Sequence, residues 1–334
     1  MRAPKRALDF PTRRIPIFAT ALVCAALALA PAKSQAADNT FERTFTVSGP
    51  VRIELSNGSG SVEIKGSADG KVHIVGKVTG GWSLFGSSDK NVQEAVSSPP
   101  VEQRDNVIRI GKSMSWMKNV SIDYNIETPR DTELDANVAS GGITVDNLRG
   151  PVKINSASGY VHVYRAERDV QMAVASGSVD CSKIGGFLRV TSASGDISIS
   201  DVKGEVKASA ASGSIRVNQP EDRVEVSSAS GAIDITGARN DLKVHAISGS
   251  INVSGDPSAN RLWEIKTVSG SVDMRVPPSA SFLFTAEATS GDIRTNIPVI
   301  LEEQGKHSLR AHVGSSSGRV EVHTVSGGVN VRGA

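Results

Sequence analysis

The sequence predicts an all-β fold, a parallel β-solenoid (β-helix) with about 18 residues per coil. A Ser-Gly pair recurs at a constant interval of 18 residues from Gly141 to Gly249. Apolar residues hold fixed positions before and after each glycine, two residues apart, which is the period of a β-strand. Aromatic residues make up only 4% of the chain while glycine occurs 32 times, and this balance favours a thin, repetitive β structure.

The first segment has the features of a secretory signal peptide. Basic residues precede an apolar run, Ile17–Ala30, and small residues follow it. The run is shorter than the ~20 residues that a membrane-spanning helix needs, which disfavours the alternative of a membrane anchor. We therefore expect residues 1–36 to be a signal peptide and the mature chain to be exported, to the periplasm, the cell surface or the medium. We expect no transmembrane segment in the mature chain.

The composition limits which partners the chain is expected to bind and whether a disulfide can stabilise it. The formal net charge is +2, so no strong field indicates nucleic acid or an anionic membrane surface as a partner. Cys181 is the only cysteine after the predicted leader, and an internal disulfide is therefore excluded. The fold must depend on apolar burial and on backbone hydrogen bonds.

Residues 37–137 are predicted to form N-terminal strands that carry a capping insertion. Strands with an early corner at Gly60 are expected between Phe41 and Val78. The pattern breaks over about residues 80–117, where a short helix is expected near Asp89–Val96. We interpret this insertion as a cap, because the first coil would otherwise expose an unpaired row of backbone groups.

Residues 138–334 are predicted to form the regular solenoid repeats, with two short strands per coil. After the 18-residue intervals, two intervals of 21 lead to Gly270 and Gly291, and the series ends at Gly318 and Gly327. Apolar side chains at seven and five residues before each glycine, and at two and four after it, are expected to fill the interior. A single coil buries too few side chains to offset the ordering of its backbone, so coils must stack to be stable.

The Ser-Gly pairs are predicted to be structural corners between the two strands. Glycine enters left-handed backbone without a Cβ penalty, and the serine hydroxyl can satisfy backbone groups that the turn frees from the ladder. A binding groove along the Ser-Gly column is the alternative interpretation. The predicted corner residues are Ser158, Gly159, Ser176, Gly177, Ser194, Gly195, Ser212, Gly213, Ser230, Gly231, Ser248 and Gly249.

No catalytic, cofactor-binding or metal site is predicted. Asp180 and Asp196 could approach each other across adjacent coils, as could Asp222 and Asp241, but solvated charges on an outer face are the ordinary interpretation. The six histidines lie at no metal-ligand spacing, and the Gly-Gly-x-Gly-x-Asp repeats of calcium-binding solenoids are absent from the sequence. Cys181 stands in an Ile/Val column and is expected to be buried.

Three phrases, "SIDYNIETPRDTELDANVASGGITV", "ASGDISISDVKGEVKASAASGSIRV" and "VGSSSGRVEVHTVSGGVNV", resemble the bacterial putative-adhesin family. That family is a domain of unknown function related to head-GIN-domain autotransporter adhesins, and the resemblance extends from about Phe41 to Arg332. It implies an exported parallel β-solenoid with a surface or adhesive role. It supplies no catalytic residues.

The leader, the repeat and the resemblance together predict a non-enzymatic, exported adhesin or cell-envelope scaffold. Its outer face is expected to bind an unknown protein or glycan at the envelope. Two alternatives remain open: a polysaccharide-acting enzyme built on a β-helix, and a periplasmic sensing or assembly partner whose open last coil pairs with another chain. The second alternative includes end-to-end self-association.

Overall fold

The computed structural model describes residues 39–80, 88–111, 120–315 and 317–334, and the predicted signal peptide lies outside them. These residues form 29 β-strands and one α-helix. The strands make two long sheets of mostly parallel strands in a repeating arrangement, so the predicted parallel β-solenoid is confirmed. No helix among the described residues combines the length and the apolar character needed to cross a membrane.

The elements, in chain order, are β1 (Thr40–Thr46), β2 (Val51–Asn57), β3 (Val62–Ser67), β4 (Lys71–Gly80), α1 (Ser88–Ser97), β5 (Val101–Arg104), β6 (Val107–Ile110), β7 (Val120–Pro129), β8 (Thr132–Ser140), β9 (Ile143–Leu148), β10 (Val152–Ser158), β11 (Val161–Ala166), β12 (Val170–Ser176), β13 (Val179–Ile184), β14 (Leu188–Ser194), β15 (Ile197–Val202), β16 (Val206–Ser212), β17 (Ile215–Asn218), β18 (Val224–Ser230), β19 (Ile233–Ala238), β20 (Leu242–Ser248), β21 (Ile251–Gly255), β22 (Leu262–Ser269), β23 (Val272–Val276), β24 (Phe282–Ser290), β25 (Ile293–Asn296), β26 (Ile300–Gln304), β27 (Ser308–Val313), β28 (Gly318–Ser326) and β29 (Val329–Gly333). From β7 to β26 the strands alternate between the two sheets along the chain.

Sheet A holds the strands that follow the corner glycines, and sheet B holds the strands that precede them. Their orders are β1-β4-β7-β3-β9-β11-β13-β15-β17-β19-β21-β23-β29-β25 in sheet A and β26-β27-β24-β28-β22-β20-β18-β16-β14-β12-β10-β8-β2-β6-β5 in sheet B. From β8 to β23, successive coils pair in parallel, and each residue lies beside its counterpart one coil away.

The core lies between the two sheets and consists of stacked columns of aliphatic side chains. Val161, for example, pairs with Ile143 on one side and with Val179 on the other, and all three are buried. A further buried column stands seven residues after each corner glycine and includes Leu148 and Ile184. Cys181 is fully buried in its Ile/Val column, and burial raises the pKa of its thiol.

The Ser-Gly corner is governed by the close approach of stacked backbones. The six predicted corner glycines have φ between 115° and 133°. A Cβ on any of them would lie 1.8–2.3 Å from the carbonyl oxygen of the equivalent glycine one coil away. Each glycine N–H donates to the serine carbonyl of the next coil at 3.0–3.2 Å. The space for these contacts exists only because the side chain is missing.

The serine hydroxyls have a smaller part at these corners than the sequence suggests. Of the six predicted corner serines, only Ser158 brings its Oγ near a backbone carbonyl, that of Ala139, at 3.5 Å. The interstrand ladder continues through the corner and already pairs the backbone groups. A hydroxyl is therefore not needed to satisfy them.

A second corner, which the sequence did not predict, lies six residues after the corner glycine in the five successive coils from Gly141 to Gly213. Residues in this column adopt left-handed backbone with φ between 49° and 63°, although they are not glycine. They are Asn147, Arg165, Lys183, Asp201 and Gln219. Side chains alternate between faces along a strand, so residues three apart would point to opposite faces. Because the left-handed turn intervenes, the residues four and seven positions after the glycine are both buried.

Coil order departs from chain order at both ends. The last coil, β28–β29, lies between the coil β22–β23 and the coil β24–β25. In the same way, β3 lies between β7 and β9. Gly318 is consequently not a corner, since it opens β28, whereas Gly327 is a corner with φ of 143°.

Antiparallel strands lie at three of the four sheet ends, and β25, at the C-terminal end of sheet A, pairs in parallel with β29. At the N-terminal end, β4 pairs with β7, β1 pairs with β4, and β5 pairs with β6. The helix α1 spans the predicted helical stretch and buries Val92 and Ala95 in the core. At the C-terminal end, β27 pairs with β24, and β26 pairs with β27.

We expect Gly195→Ala to destabilise the solenoid by about 2 kcal/mol or more, because the new Cβ meets a carbonyl oxygen and the backbone lies in a region that glycine alone adopts readily. Urea denaturation followed by circular dichroism measures the change. Gly58→Ala is the matched control, since a Cβ there has no atom within 4 Å, and we expect its effect to stay within about 0.5 kcal/mol. Equal midpoints for the two variants would contradict the account of the corner.

At the second corner we expect Asp201→Val to cost about 1–2 kcal/mol, because a β-branched residue tolerates left-handed backbone poorly. Asp201→Gly should be neutral to within about 1 kcal/mol, since glycine adopts this backbone readily. Ser198→Val, at an exposed position on the same strand β15, is the control for adding valine to the surface. Urea denaturation midpoints measure these changes. Equal losses of stability in Asp201→Val and Ser198→Val would contradict a left-handed constraint at Asp201.

Candidate functional site

A long groove crosses the strands of sheet B on the side of the Ser-Gly corners. We call it the axial groove and define it as the residues four, three and two positions before the corner glycine on each strand from β8 to β24. Its two stretches have volumes of about 1160 and 810 Å³ and share Thr191 and Ala193. Ten strands contribute, so the groove is roughly 45 Å long at about 4.7–4.9 Å per strand.

The residues four positions before the glycine form the polar wall. Over the first six strands this wall has no charged side chain, and its residues are Asn137, Asn155, Ala173, Thr191, Ser209 and Ser227. Asn155 Nδ2 donates to Asn137 Oδ1 at 3.0 Å, which links the side chains of two adjacent coils. The last four strands change the chemistry and carry His245, Lys266, His323 and Glu287 in this order.

The residues two positions before the glycine form the aliphatic wall. On the first six strands they are Ala139, Ala157, Ala175, Ala193, Ala211 and Ala229. On the next three strands they are Ile247, Val268 and Val325, which are 57%, 49% and 50% exposed. These three account for nearly half of the large exposed hydrophobic residues in the described part of the chain, so apolar surface is concentrated on this wall.

The residues three positions before the glycine lie beneath the groove with their side chains turned into the core, and several of them carry buried hydroxyl groups. Ser192, Ser228, Thr267 and Thr324 are only 2–4% exposed, and their hydroxyl oxygens have no hydrogen-bond partner among the described residues. An unpaired buried hydroxyl costs about 1–3 kcal/mol. Ala210 occupies the same column, so the fold itself does not require a hydroxyl there.

Charged side chains at the C-terminal stretch of the groove have close partners. His323 Nδ1 lies 3.2 Å from Glu287 Oε2, and Lys266 forms an ion pair with Glu264, which lies outside the groove. Burial, reinforced by the positive charge of Lys243, lowers the pKa of His245 below its ordinary value. His245 therefore adds an uncharged imidazole to the polar wall at neutral pH.

The structure places the six predicted Ser-Gly pairs directly beside the aliphatic wall. The groove thus runs along the residues before the pairs and does not follow the pairs themselves. The sequence signal that could have identified it is the run of small residues before each pair, together with the exposed Ile247, Val268 and Val325. Solvent exposure of those three is a tertiary property that the sequence does not reveal.

The acidic residues weighed as catalytic candidates have separate partners. Asp180 lies 3.8 Å from His162 Nδ1, and Asp196 accepts a hydrogen bond from Ser214 N at 2.8 Å. Asp222 accepts from the backbone of the next residue, and Asp241 accepts from the backbone N–H of Leu262. Within the described residues, no group of three or more His, Cys, Asp or Glu side chains could hold a metal ion.

Comparison with known proteins gives a family match. A family model described as Toastrack DUF4097 matches residues 51–332. No curated protein matches the chain.

Three solved structures are similar to the chain at low identity. A putative cell adhesion protein from Clostridium sporogenes has 13% identity and a TM-score of 0.18, over 88% of this chain and 100% of that chain. A putative adhesin from Bacteroides fragilis has 15% identity and a TM-score of 0.34, over 88% and 96%. A putative lipid binding protein from Parabacteroides distasonis has 12% identity and a TM-score of 0.39, over 88% and 96%. These similarities are too low to indicate a ligand or an activity.

We expect an NMR titration to give His245 a pKa below 6.5, the ordinary value for histidine. Lys243→Gln should raise this pKa by removing a like charge, whereas Lys207→Gln, in the same column two coils away, should leave it unchanged. Because the pKa of His245 is lowered in the folded chain, the unfolded chain binds a proton at this imidazole more readily than the folded chain does. Stability should therefore fall as the pH drops below the ordinary histidine pKa, and His245→Asn should reduce that loss. A pKa at or above the ordinary value would contradict the combined effect of partial burial and the nearby charge of Lys243.

Proposed function

The chain belongs to the Toastrack DUF4097 family, and from its groove we propose that it is a non-enzymatic, exported adhesin or envelope scaffold that binds an elongated partner. The observation that carries the proposal is the continuity of the axial groove over ten strands. A compact ligand would occupy only part of such a groove. A linear partner meets nearly the same chemistry at each coil, so many weak contacts add up to stable attachment.

The rigidity of the walls supports a binding role. Nearly every strand of the groove is hydrogen-bonded to a neighbour on both sides, so the wall side chains stand on fixed backbone. A groove that is already formed before binding avoids much of the entropic cost of ordering an interface. Export, which the leader predicts, would bring this groove to envelope partners.

Carboxylates are too few in the groove to favour cleavage of a bound polymer. Glu287 is the only acidic side chain among the described residues that line it, and it is paired with His323. Glycoside hydrolysis ordinarily uses two carboxyl groups on opposite sides of the scissile bond. We therefore propose binding without turnover in preference to the polysaccharide-acting enzyme.

A second candidate, an assembly partner that pairs through its open end, is favoured by the C-terminal edge strands. β25 is the outermost strand of sheet A, and β26 is the outermost strand of sheet B. Ile300 and Leu301 on β26 are exposed. An edge strand with exposed aliphatic side chains is suited to strand addition by another chain, and light scattering of the purified protein would detect self-association of this kind.

We expect Ala211→Trp, which fills the groove from an exposed position, to lower binding of the protein to isolated cell envelopes at least fivefold in a cosedimentation assay. Ser198→Trp, at an exposed position on sheet A, is the matched control and should bind like the unaltered protein. Circular dichroism should show both variants folded. Unchanged cosedimentation of Ala211→Trp would refute a binding role for the groove.

A further inference from the structure

Resting on the proposed function, we infer that the axial groove takes a neutral, extended β-1,4-linked polysaccharide, with about one sugar residue per coil. Three properties of the groove lead to this class of ligand: its repeat distance, its two unlike walls, and the lack of charge on its first six strands.

The repeat distance separates a polysaccharide from a polypeptide. Equivalent side chains recur along the groove at the strand spacing, about 4.7–4.9 Å. An extended polypeptide advances by about 3.1–3.4 Å per residue and falls out of step with this spacing within two coils. A pyranose residue joined through O1 and O4 is longer and advances by roughly one strand spacing. A linear glycan can therefore place about one sugar residue at each coil.

The two walls match the two kinds of surface on a pyranose ring. The ring carries hydroxyl groups around its edge and C–H groups on its faces. Thr191, Ser209 and Ser227 offer hydroxyls that make no hydrogen bond to another described residue. Across the groove, the alanines and then Ile247 and Val268 offer aliphatic contacts for the C–H groups.

Charge complementarity favours a neutral polymer. From β8 to β18, neither wall has a cation or a carboxylate, so a charged polymer would lose hydration there without gaining an ion pair. An uncharged polyol loses less on entering, and its hydroxyls can exchange water for serine, threonine and asparagine side chains. A lipid chain would leave the whole polar wall unsatisfied.

Isothermal titration of the purified full-length protein with cellohexaose and with chitohexaose tests the inference. We expect at least one of them to bind at least tenfold more tightly than its disaccharide, because the described groove lining offers no tyrosine, tryptophan or phenylalanine ring and affinity must accumulate over coils. Ala211→Trp should weaken hexasaccharide binding at least tenfold, and Ser198→Trp should not. Thr191→Val combined with Ser227→Ala should weaken it several-fold without changing the denaturation midpoint.

The outcomes separate the ligand class from the proposed function. Lack of binding by both hexasaccharides, tighter binding of oligogalacturonate or of a proline hexapeptide, or hexasaccharide binding that Ala211→Trp leaves intact would each overturn the polysaccharide assignment. If envelope cosedimentation still responds to Ala211→Trp in those cases, the groove binds a partner of another class and the proposed function stands. If cosedimentation is also insensitive to Ala211→Trp, both fail.

Discussion

The whole structure depends on the in-register hydrogen bonding of each coil to the next. This ladder continues through the Ser-Gly corner, where the glycine N–H donates to the serine carbonyl one coil away at 3.0–3.2 Å. Stacked corners approach so closely that a Cβ would collide with a backbone oxygen. Glycine is therefore required by contact between coils as much as by the conformation of its own backbone. Since one coil buries too little apolar surface to offset its ordering, stacking is also the source of stability.

The same stacking creates the axial groove. When like residues lie above one another, a small side chain at one position of the repeat becomes a channel along the entire stack. Alanines such as Ala193 and Ala211 therefore form a continuous aliphatic wall once the coils are stacked. This wall lies opposite a mainly polar one. The first stretch of this surface is uncharged, and Glu287 near its other end lies beside His323.

The ends of the solenoid are built differently from its middle. Antiparallel strands lie at three of the four sheet ends, and β25 ends sheet A in parallel pairing. Coils from distant parts of the sequence also lie next to each other, as when β28 enters between β22 and β24. An order of this kind follows from pairing energies across the whole chain. Local sequence patterns, which are nearly the same in every coil, do not distinguish one neighbour from another.

By itself, the sequence determined the two-strand coil, its 18-residue period, the inward columns and the place of the glycine corner. A period of two within strands and a fixed repeat between them are local properties that can be read from residue order. Only the tertiary structure decided that Asn147, Lys183 and their column adopt left-handed backbone, that Gly318 opens a strand, and that the residues before each Ser-Gly pair line a groove. These features arise from contacts between coils, and the exposure of a side chain depends on what lies beside it.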